Sequence, residues 1–237
     1  FYGAHKKVRM PDRKDIPMLL VIGLFTITIY HALLSYGEVT VSAGAASLII
    51  GSGPIFTALL AYFFLKEKLK PWGWVGIFIS FIGVGLISMG EGNGISFDPR
   101  AILVLLAAFS TSLSFVLQKP YLKKYKFVEL TVYTFLSGTF FLLIFLPGFV
   151  NDIRTASIGA TLSIIYLGIF PAGIAYLTWT YVLAKMPVSI LSSFLAVSPF
   201  FSIIIAWIWL GEIPGIISVI GGIIAILGVT LVNIKGR

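Results

Sequence analysis

The sequence predicts an all-α fold, a polytopic bundle of helices that crosses a membrane. Of its 237 residues, 58% are hydrophobic and only 11% are charged, whereas soluble domains average about 25% charged residues. The apolar residues form continuous runs of about 20 residues, the length that a helix needs to cross a bilayer. These runs lack the alternation of membrane β-strands, so each one is predicted to be a helix.

Eight such runs are visible along the chain. Short polar segments separate them, so neighbouring helices are predicted to pack antiparallel. The predicted spans cover residues 16–36, 41–64, 71–89, 101–118, 127–149, 157–183, 187–210 and 214–233.

The distribution of Lys and Arg predicts the orientation of the spans. If the segment before the first span is cytoplasmic, all 17 Lys and Arg residues except Arg100 and Arg154 lie on the cytoplasmic side. Such an excess is typical of the cytoplasmic loops of membrane proteins. It predicts a multi-pass protein of the cell membrane with a cytoplasmic C-terminus, and it accounts for the net charge of +8 without nucleic acid as a partner.

An internal repeat organises the chain. Pro54 matches Pro199, and Glu67 matches Glu212, at the same offset of 145 residues. At this offset the first three spans match the last three without a gap. Internal duplication is a common way of building transporters, which makes transport the first function to consider.

The repeat also predicts helices that this sequence does not contain. Spans 101–118 and 127–149 have no counterpart, so two further spans are expected before the first visible one. The parent is then a ten-span fold of two five-helix repeats, and the odd number of spans inverts one repeat relative to the other. Residues 1–15 are predicted to be the end of a missing span with its cytoplasmic loop, residues 16–92 the remainder of the first repeat, and residues 93–237 the second repeat.

Two matching segments carry a resemblance to a known family. Pro54 is followed by AYFFLKEKL at 61–69, and Pro199 is followed by AWIWLGE at 206–212. These segments, with the glycine-bearing helices after them, resemble the EamA family of the drug/metabolite transporter superfamily, without its first two spans. The resemblance implies two inverted five-helix repeats, a cavity near the middle of the membrane and alternating access.

Polar and aromatic side chains within the spans are the candidate substrate-binding residues. His31 is an ionisable group well inside a predicted span, and such groups usually face the interior of a bundle. Aromatic rings with hydroxyl and amide groups suit a small amphipathic or zwitterionic solute. The candidates are Tyr30, His31, Ser47, Ser114, Gln118, Tyr176, Trp179, Thr180, Ser192 and Ser193. For each of these, plain helix packing is the alternative, and His31 could instead carry a proton.

The matched residues of the repeat are the candidate hinge and gating positions. Pro54 and Pro199 lie inside apolar runs, where a proline removes a backbone hydrogen bond and kinks the helix; Pro171 has the same effect in its own span. Glu67 and Glu212 lie at span ends, where each could gate the cavity or cap a helix of the other half. A solvated charge at a helix end is the alternative for both.

Pairs of glycines mark one face of two further helices. Gly76 and Gly83 are seven residues apart, as are Gly221 and Gly228. Small residues let helices approach closely. We expect each pair to pack inside its own repeat; the alternative is a dimer interface, so the protein is predicted to be a monomer or a homodimer.

The absence of charged side chains within the spans limits which substrates the protein could bind. No Lys, Arg, Asp or Glu lies in the middle of a predicted span. This argues against phosphorylated substrates, because a phosphate group is usually bound by Arg or Lys. No cofactor, metal cluster or catalytic constellation is predicted. The sequence thus predicts a carrier, not an enzyme, for a small uncharged or zwitterionic metabolite such as an amino acid. The alternatives are a membrane-embedded enzyme acting on lipid or isoprenoid substrates, and a structural or receptor protein that does not transport.

Overall fold

The computed structural model describes residues 9–41, 46, 49–91, 99–210 and 215–236. Within these ranges every regular element is a helix. Five helices are long and apolar enough to cross a membrane: Arg13–Gly37, Ala101–Tyr121, Phe127–Gly148, Ile158–Lys185 and Ile216–Lys235. Shorter apolar helices cover Gly53–Leu65, Pro71–Ile87 and Val188–Val197. The predicted all-α, multi-pass class is confirmed, while the number of eight spans stays a prediction.

The α-helices of the described residues are numbered in chain order. They are α1 (Ile16–Gly23), α2 (Tyr30–Gly37), α3 (Gly53–Leu60), α4 (Pro71–Glu91), α5 (Ala101–Tyr121), α6 (Phe127–Leu142), α7 (Leu146–Thr155), α8 (Ile158–Leu167), α9 (Tyr176–Lys185), α10 (Val188–Ser193), α11 (Ser198–Leu210) and α12 (Ile216–Lys235).

Several of the long helices change their winding part of the way along. Wider π-helical turns join α1 to α2 at Leu24–Ile29, extend α3 at Ala61–Leu65 and join α8 to α9 at Gly168–Ala175. Tighter 3₁₀ turns occupy Leu143–Phe145 and Phe194–Val197. Because π turns inside α-helices often occur at functional sites, these segments are candidates for a functional role.

Two helix starts show how the local sequence sets the element bounds. Ser157 caps α8, where its hydroxyl oxygen accepts a hydrogen bond from the Ala160 N–H at 3.2 Å. The Glu129 carboxylate reaches back to the Lys126 N–H at 2.9 Å before α6. Each bond satisfies an N–H at a helix start that has no partner inside the helix.

Contacts divide the chain into two compact units. The first unit holds the described residues up to Thr28 together with Leu117–Lys185. Its interior is an apolar cluster on α1, α6 and the loop before α6, formed by Leu19, Ile22, Tyr125, Leu130 and Tyr133. Helices α1 and α6 are in close contact at Gly23, where an added Cβ would lie 2.4 Å from the Ser137 Cβ.

The second unit holds Ile29–Val116 and Met186–Arg237. Its glycine pairs meet each other: a Cβ on Gly83 would lie 2.6 Å from the Gly221 carbonyl oxygen, and one on Gly76 would lie 2.7 Å from that of Gly228. The expectation that each pair packs inside its own predicted repeat was therefore wrong. The close approach joins α4 to α12, because small residues on both helices let two matched faces pack together.

Candidate functional site

The aromatic pair at the start of α2 was predicted to bind substrate. The Tyr30 and His31 rings meet edge to face, with centroids 4.9 Å apart. Tyr30 is half-buried, whereas His31 is exposed on the surface of this chain. The imidazole is thus accessible in the second unit, on a helix that is predicted to cross the membrane.

The predicted serine ligands are buried in the second unit. Ser114, Ser192 and Ser193 all have fully buried side chains. Each hydroxyl donates to a carbonyl three residues earlier in its own helix, at 2.7–3.1 Å. Each of these hydroxyls already has an acceptor for its proton, so a solute would have to compete with the helix or use the oxygen lone pairs. Ser47 lies outside the described residues.

Ser112, which was not among the predicted residues, makes a contact between two helices. Its hydroxyl lies 3.0 Å from the Gly53 carbonyl oxygen and 2.8 Å from that of Ala108. Gly53 precedes Pro54, so this hydroxyl lies against the start of α3. Sequence reasoning missed Ser112 because nothing in a single apolar run distinguishes which of several serines faces a neighbouring helix.

The first unit contains a buried polar chain that joins three helix positions. Gln118 is 3% exposed, and its side-chain nitrogen lies 3.5 Å from the Thr26 hydroxyl oxygen. The Thr26 hydroxyl donates to the Ile22 carbonyl oxygen at 2.6 Å, and Thr26 is fully buried. Gln118 was predicted as a binding residue; its neighbour Thr26 was not selected.

The remaining predicted binding residues lie at the start of α9. The Thr180 hydroxyl is buried and donates to the Tyr176 carbonyl oxygen at 2.9 Å. The Tyr176 ring meets Phe135 of α6 edge to face at 5.3 Å. Trp179 is half-buried on the same helix. Within the first unit Tyr176 therefore packs against α6 and Thr180 bonds within α9, while Gln118, on α5, belongs to a separate polar chain.

The two predicted hinge prolines each stand at the beginning of a helix. Pro54 is the second residue of α3, and a turn at 51–52 precedes it. Pro199 is the second residue of α11, after the 3₁₀ turn Phe194–Val197. A missing N–H is tolerated in a first turn, and the α-helical winding is interrupted just before each proline, by a turn before Pro54 and by 3₁₀ winding before Pro199.

Glu67 binds the start of α10. Its carboxylate accepts hydrogen bonds from the Val188 N–H at 3.1 Å, the Ser189 N–H at 3.2 Å and the Ser189 hydroxyl at 2.8 Å. Lys66 adopts a left-handed backbone with φ of 57°, which ends the preceding π turn and directs the chain toward α10. A carboxylate suits this position because helix N–H groups and the helix dipole both favour negative charge. Glu212 lies outside the described residues.

A cluster of opposite charges secures the beginning of α1. The Lys124 ammonium contacts the Asp12 carboxylate at 2.6 Å and also pairs with Asp15. The hydrogen bond from Lys124 holds the pKa of Asp12 below its usual range, and the same bond raises the pKa of Lys124. The cluster is polar and solvent-accessible, so its role is to anchor the loop. Within the described ranges no group of three His, Cys, Asp or Glu side chains is arranged to hold a metal ion.

These features together define a class of protein. The helices are long and apolar, many large apolar side chains are exposed, among them Phe78, Leu136 and Ile158, and the buried polar side chains of the described residues are Ser, Thr and Gln. Apolar surface toward lipid with uncharged polar groups inside is typical of a multi-pass membrane protein that handles a small solute. A model of the EamA-like transporter family matches residues 1–89 and 99–234. The chain belongs to this family of the drug/metabolite transporter superfamily.

Relatives with curated names support the same assignment. The chain is 42% identical to the uncharacterized transporter YdfC of Bacillus subtilis, over 99% of this chain and 76% of that protein. It is 36% identical to a probable terminal-alkyne amino-acid exporter of Streptantibioticus cattleyicolor, over 95% of this chain and 76% of that protein. It is 34% identical to an uncharacterized transporter of Archaeoglobus fulgidus, over 92% of this chain and 78% of that protein.

A solved structure shows the same fold. One crystal structure, described only as that of a protein, superposes with a TM-score of 0.77 at 18% identity, over 98% of this chain and 82% of that chain. The family and the named relatives make the chain a membrane transporter and not an enzyme. Its partners are therefore the lipid bilayer and a small-molecule substrate.

Proposed function

We propose that the protein moves a small, largely uncharged or zwitterionic metabolite, an amino acid or a similar solute, by alternating access. The observation that carries the proposal is chemical: the buried polar side chains of the described residues are all Ser, Thr or Gln. Such groups offer hydrogen bonds without a fixed countercharge. The relative named as an amino-acid exporter supports the same substrate class, and export is the proposed direction.

The proposed binding residues are those selected from the sequence. In the first unit, Gln118 and Thr180 supply an amide and a hydroxyl among buried residues, with Tyr176 and Trp179 beside Thr180. In the second unit the candidates are Tyr30, His31, Ser114, Ser192 and Ser193, together with Ser47. Since His31 is accessible on its helix, we assign it a direct contact with the solute.

Matched breaks in the two predicted repeats support alternating access. The turn at 51–52 precedes Pro54, and the 3₁₀ turn Phe194–Val197 precedes Pro199. At the offset of 145 residues, 194–197 corresponds to 49–52, so both breaks occupy the same place in the repeat. Breaks at equivalent places would let each half bend in turn while a central site stays bound.

Glu67 is proposed as a gate residue on the cytoplasmic side. It joins the end of the π turn Ala61–Leu65 to the first residues of α10 through three hydrogen bonds. By the repeat, these two elements belong to different halves of the protein. A bond of this kind holds one face closed and must break when that face opens, and Glu212 is proposed to do the same on the outer side.

Counterflow in proteoliposomes tests the proposed function. The protein is reconstituted, loaded with unlabelled neutral amino acids, including a terminal-alkyne amino acid, and given labelled solute outside, with and without a pH gradient. Saturable counterflow of one class, reduced at least tenfold by His31→Ala and unchanged by Thr230→Val, is expected. No counterflow of any amino acid, with robust uptake of phosphorylated or cationic solutes, would overturn the substrate class.

The orientation is proposed from the charge distribution alone. Since the sequence has no cysteine, single-cysteine variants can report it. Arg154→Cys should react with an impermeant maleimide on intact cells, and Lys235→Cys only after permeabilisation; the reverse pattern would invert the topology.

The glycine faces of α4 and α12 are occupied by each other, which leaves them unable to support a dimer.

A further inference from the structure

Of the three π segments found among the described residues, two fall on the same register of the internal repeat. The first, Leu24–Ile29, corresponds to 169–174 at the offset of 145 residues, and the second covers Gly168–Ala175. The sequences around them also match, with Phe25 on Phe170 and Ile29 on Ile174. Each segment joins two α-helices of a single apolar span. The widened turn is thus a feature of the repeat and not of one local sequence.

The same geometry has a different chemical cause in each segment. Pro171 lies inside the second segment, and its missing N–H leaves the Leu167 carbonyl without its usual α-helical partner. The corresponding residue of the first segment is Thr26, and the carbonyl that corresponds to Leu167 is that of Ile22. Here the Thr26 hydroxyl donates to the Ile22 carbonyl oxygen at 2.6 Å. Bonding of a threonine hydroxyl to the carbonyl four residues back often bends a helix.

The Gln118 amide is the second contact of the Thr26 hydroxyl. A hydroxyl has one proton to donate, and it can accept through its lone pairs at the same time. The Gln118 side-chain nitrogen lies 3.5 Å from the Thr26 oxygen, a long contact in which the amide is the donor. The proton of Thr26 is therefore left for the Ile22 carbonyl. Both side chains are almost completely buried, at 0% and 3% exposure, so an unpaired group would be costly.

Packing limits where the first segment can move. The Thr28 hydroxyl donates to the Gly138 carbonyl oxygen of α6 at 3.0 Å. A Cβ on Gly138 would lie 2.4 Å from the Ile27 Cβ, so the two backbones are in direct contact there. The segment is thus attached to α6 just after Thr26, as α1 is at Gly23 just before it, so the Thr26 turn lies between two contacts with the same helix.

We propose that Thr26 and Gln118 are positioning residues that set the first π segment as a hinge of the transport cycle, the counterpart of the Pro171 hinge. Their role is to hold the carbonyl of Ile22 away from an α-helical bond, as the proline does at Leu167. This inference rests on the proposed alternating access, but its local part does not depend on the solute. A substrate contact by Gln118 alone would not explain the bond from Thr26 to the backbone.

The test combines transport with amide exchange. Thr26→Val keeps the shape of the side chain and removes its hydroxyl, whereas Thr26→Ser keeps the hydroxyl. Thr230→Val is the matched control, because Thr230 is exposed and donates to the Ile226 carbonyl oxygen at 2.8 Å within the regular helix α12. Gln118→Met removes the amide donor at nearly constant volume.

In nanodiscs, Thr26→Val and Gln118→Met should change deuterium exchange of peptides that contain 24–29, while Thr26→Ser and Thr230→Val should not. In proteoliposomes, Thr26→Val should lower the maximal counterflow rate about tenfold with KM within about twofold, and Thr26→Ser should restore it. Gln118→Met should lower the maximal rate as well, whatever it does to KM, because Gln118 is also a proposed substrate contact. An effect of Thr26→Val on KM alone would make Thr26 a substrate contact and overturn the hinge. Unchanged exchange in Thr26→Val would overturn it as well, even if the protein carried no amino acid and the proposed function failed.

Discussion

Two π segments, one joining α1 to α2 and the other joining α8 to α9, have the same register in the repeat but differ in burial. Leu24–Ile29 contains the buried residues Thr26 and Ile27, whereas no residue of Gly168–Ala175 is buried. A proline widens the helix by itself, because its effect is within its own backbone. A threonine acts through the bond of its hydroxyl to a carbonyl, and at Thr26 the contact with Gln118 of α5 leaves the proton for that bond. The comparison shows how a duplicated helix can keep its geometry while the cause of that geometry changes with burial.

The largest effect is expected where the first segment touches α6. Gly138→Ala places a Cβ 2.4 Å from the Ile27 Cβ, which the packed backbones cannot accommodate. We expect the free energy of unfolding to fall by about 1–3 kcal/mol, as for other overpacked sites. Titration with denaturing detergent measures it. Gly148→Ala is the control, since nothing lies within 4 Å of a Cβ there. An equal loss of unfolding free energy in both variants would show that the close contact is not the cause.

A smaller effect is expected at the third π segment, which lacks a counterpart. Ala61–Leu65 corresponds to 206–210, and these residues continue the α-helix Ser198–Leu210. Glu67→Ala removes the carboxylate that follows this segment and leaves the N–H groups of Val188 and Ser189 unpaired. We expect a loss of about 0.5–2 kcal/mol of unfolding free energy, the range for a lost helix cap.

Glu38→Ala is the control for Glu67→Ala, because Glu38 is an exposed carboxylate of the same unit. Counterflow should also become faster or leaky in Glu67→Ala if the bond closes a gate. Unaltered stability together with unaltered flux would show that the carboxylate is only a surface charge.

Pro171→Ala should separate stability from transport in the second segment. The alanine N–H can restore a bond to the Leu167 carbonyl, while the unfolded chain gains freedom; the two changes offset, so unfolding free energy should change by less than about 1 kcal/mol. Turnover should nevertheless fall, because the hinge becomes regular helix. A large loss of stability, or full turnover, would contradict the comparison with Thr26.

The smallest effect is expected at the anchors of the two helices. Helix α1, which leads into the first segment, begins next to the Lys124–Asp12 ion pair. Helix α8, which leads into the second segment, begins at the Ser157 cap. Lys124→Met should lower the melting temperature by a few degrees at most, because these groups are solvent-accessible.

The pH dependence of that loss follows from the two pKa shifts. The lowered pKa of Asp12 means that its contribution is present above about pH 4 and disappears as the pH falls further. The raised pKa of Lys124 means that its contribution is present below about pH 10 and disappears as the pH rises further. The difference between wild type and Lys124→Met should thus be constant between these limits and shrink outside them. A difference that peaks near neutral pH would implicate another group.

Much of the fold could be predicted because long apolar runs and a constant offset are visible in a single sequence. The position of Glu67 at a helix end was predicted for the same reason, but its partners were not, since Val188 and Ser189 lie more than a hundred residues away. The offset shows which helices are related and not which are neighbours, and this is why each glycine pair was expected to pack within its own repeat and not against the other pair.

The π segments could not be predicted from periodicity. A span that is apolar on all sides has no polar face whose spacing would change from an α turn to a π turn. Pro171 predicts an interruption of its helix. Thr26 does not, because a threonine is ordinary in a membrane helix and its contact with Gln118 is visible only in the structure. The candidate binding residues were likewise chosen by chemistry, and their local bonds became known only from the structure.

The most direct test of the account is deuterium exchange of the wild-type protein in nanodiscs, with and without the amino acid that supports counterflow. Peptides that contain 24–29 and 168–175 are compared with a peptide from α12, which has no π turn. We expect the solute to change exchange in both π segments together and to leave α12 unchanged. A change in only one segment, or in neither, would contradict the claim that the two segments are equivalent hinges of one transporter.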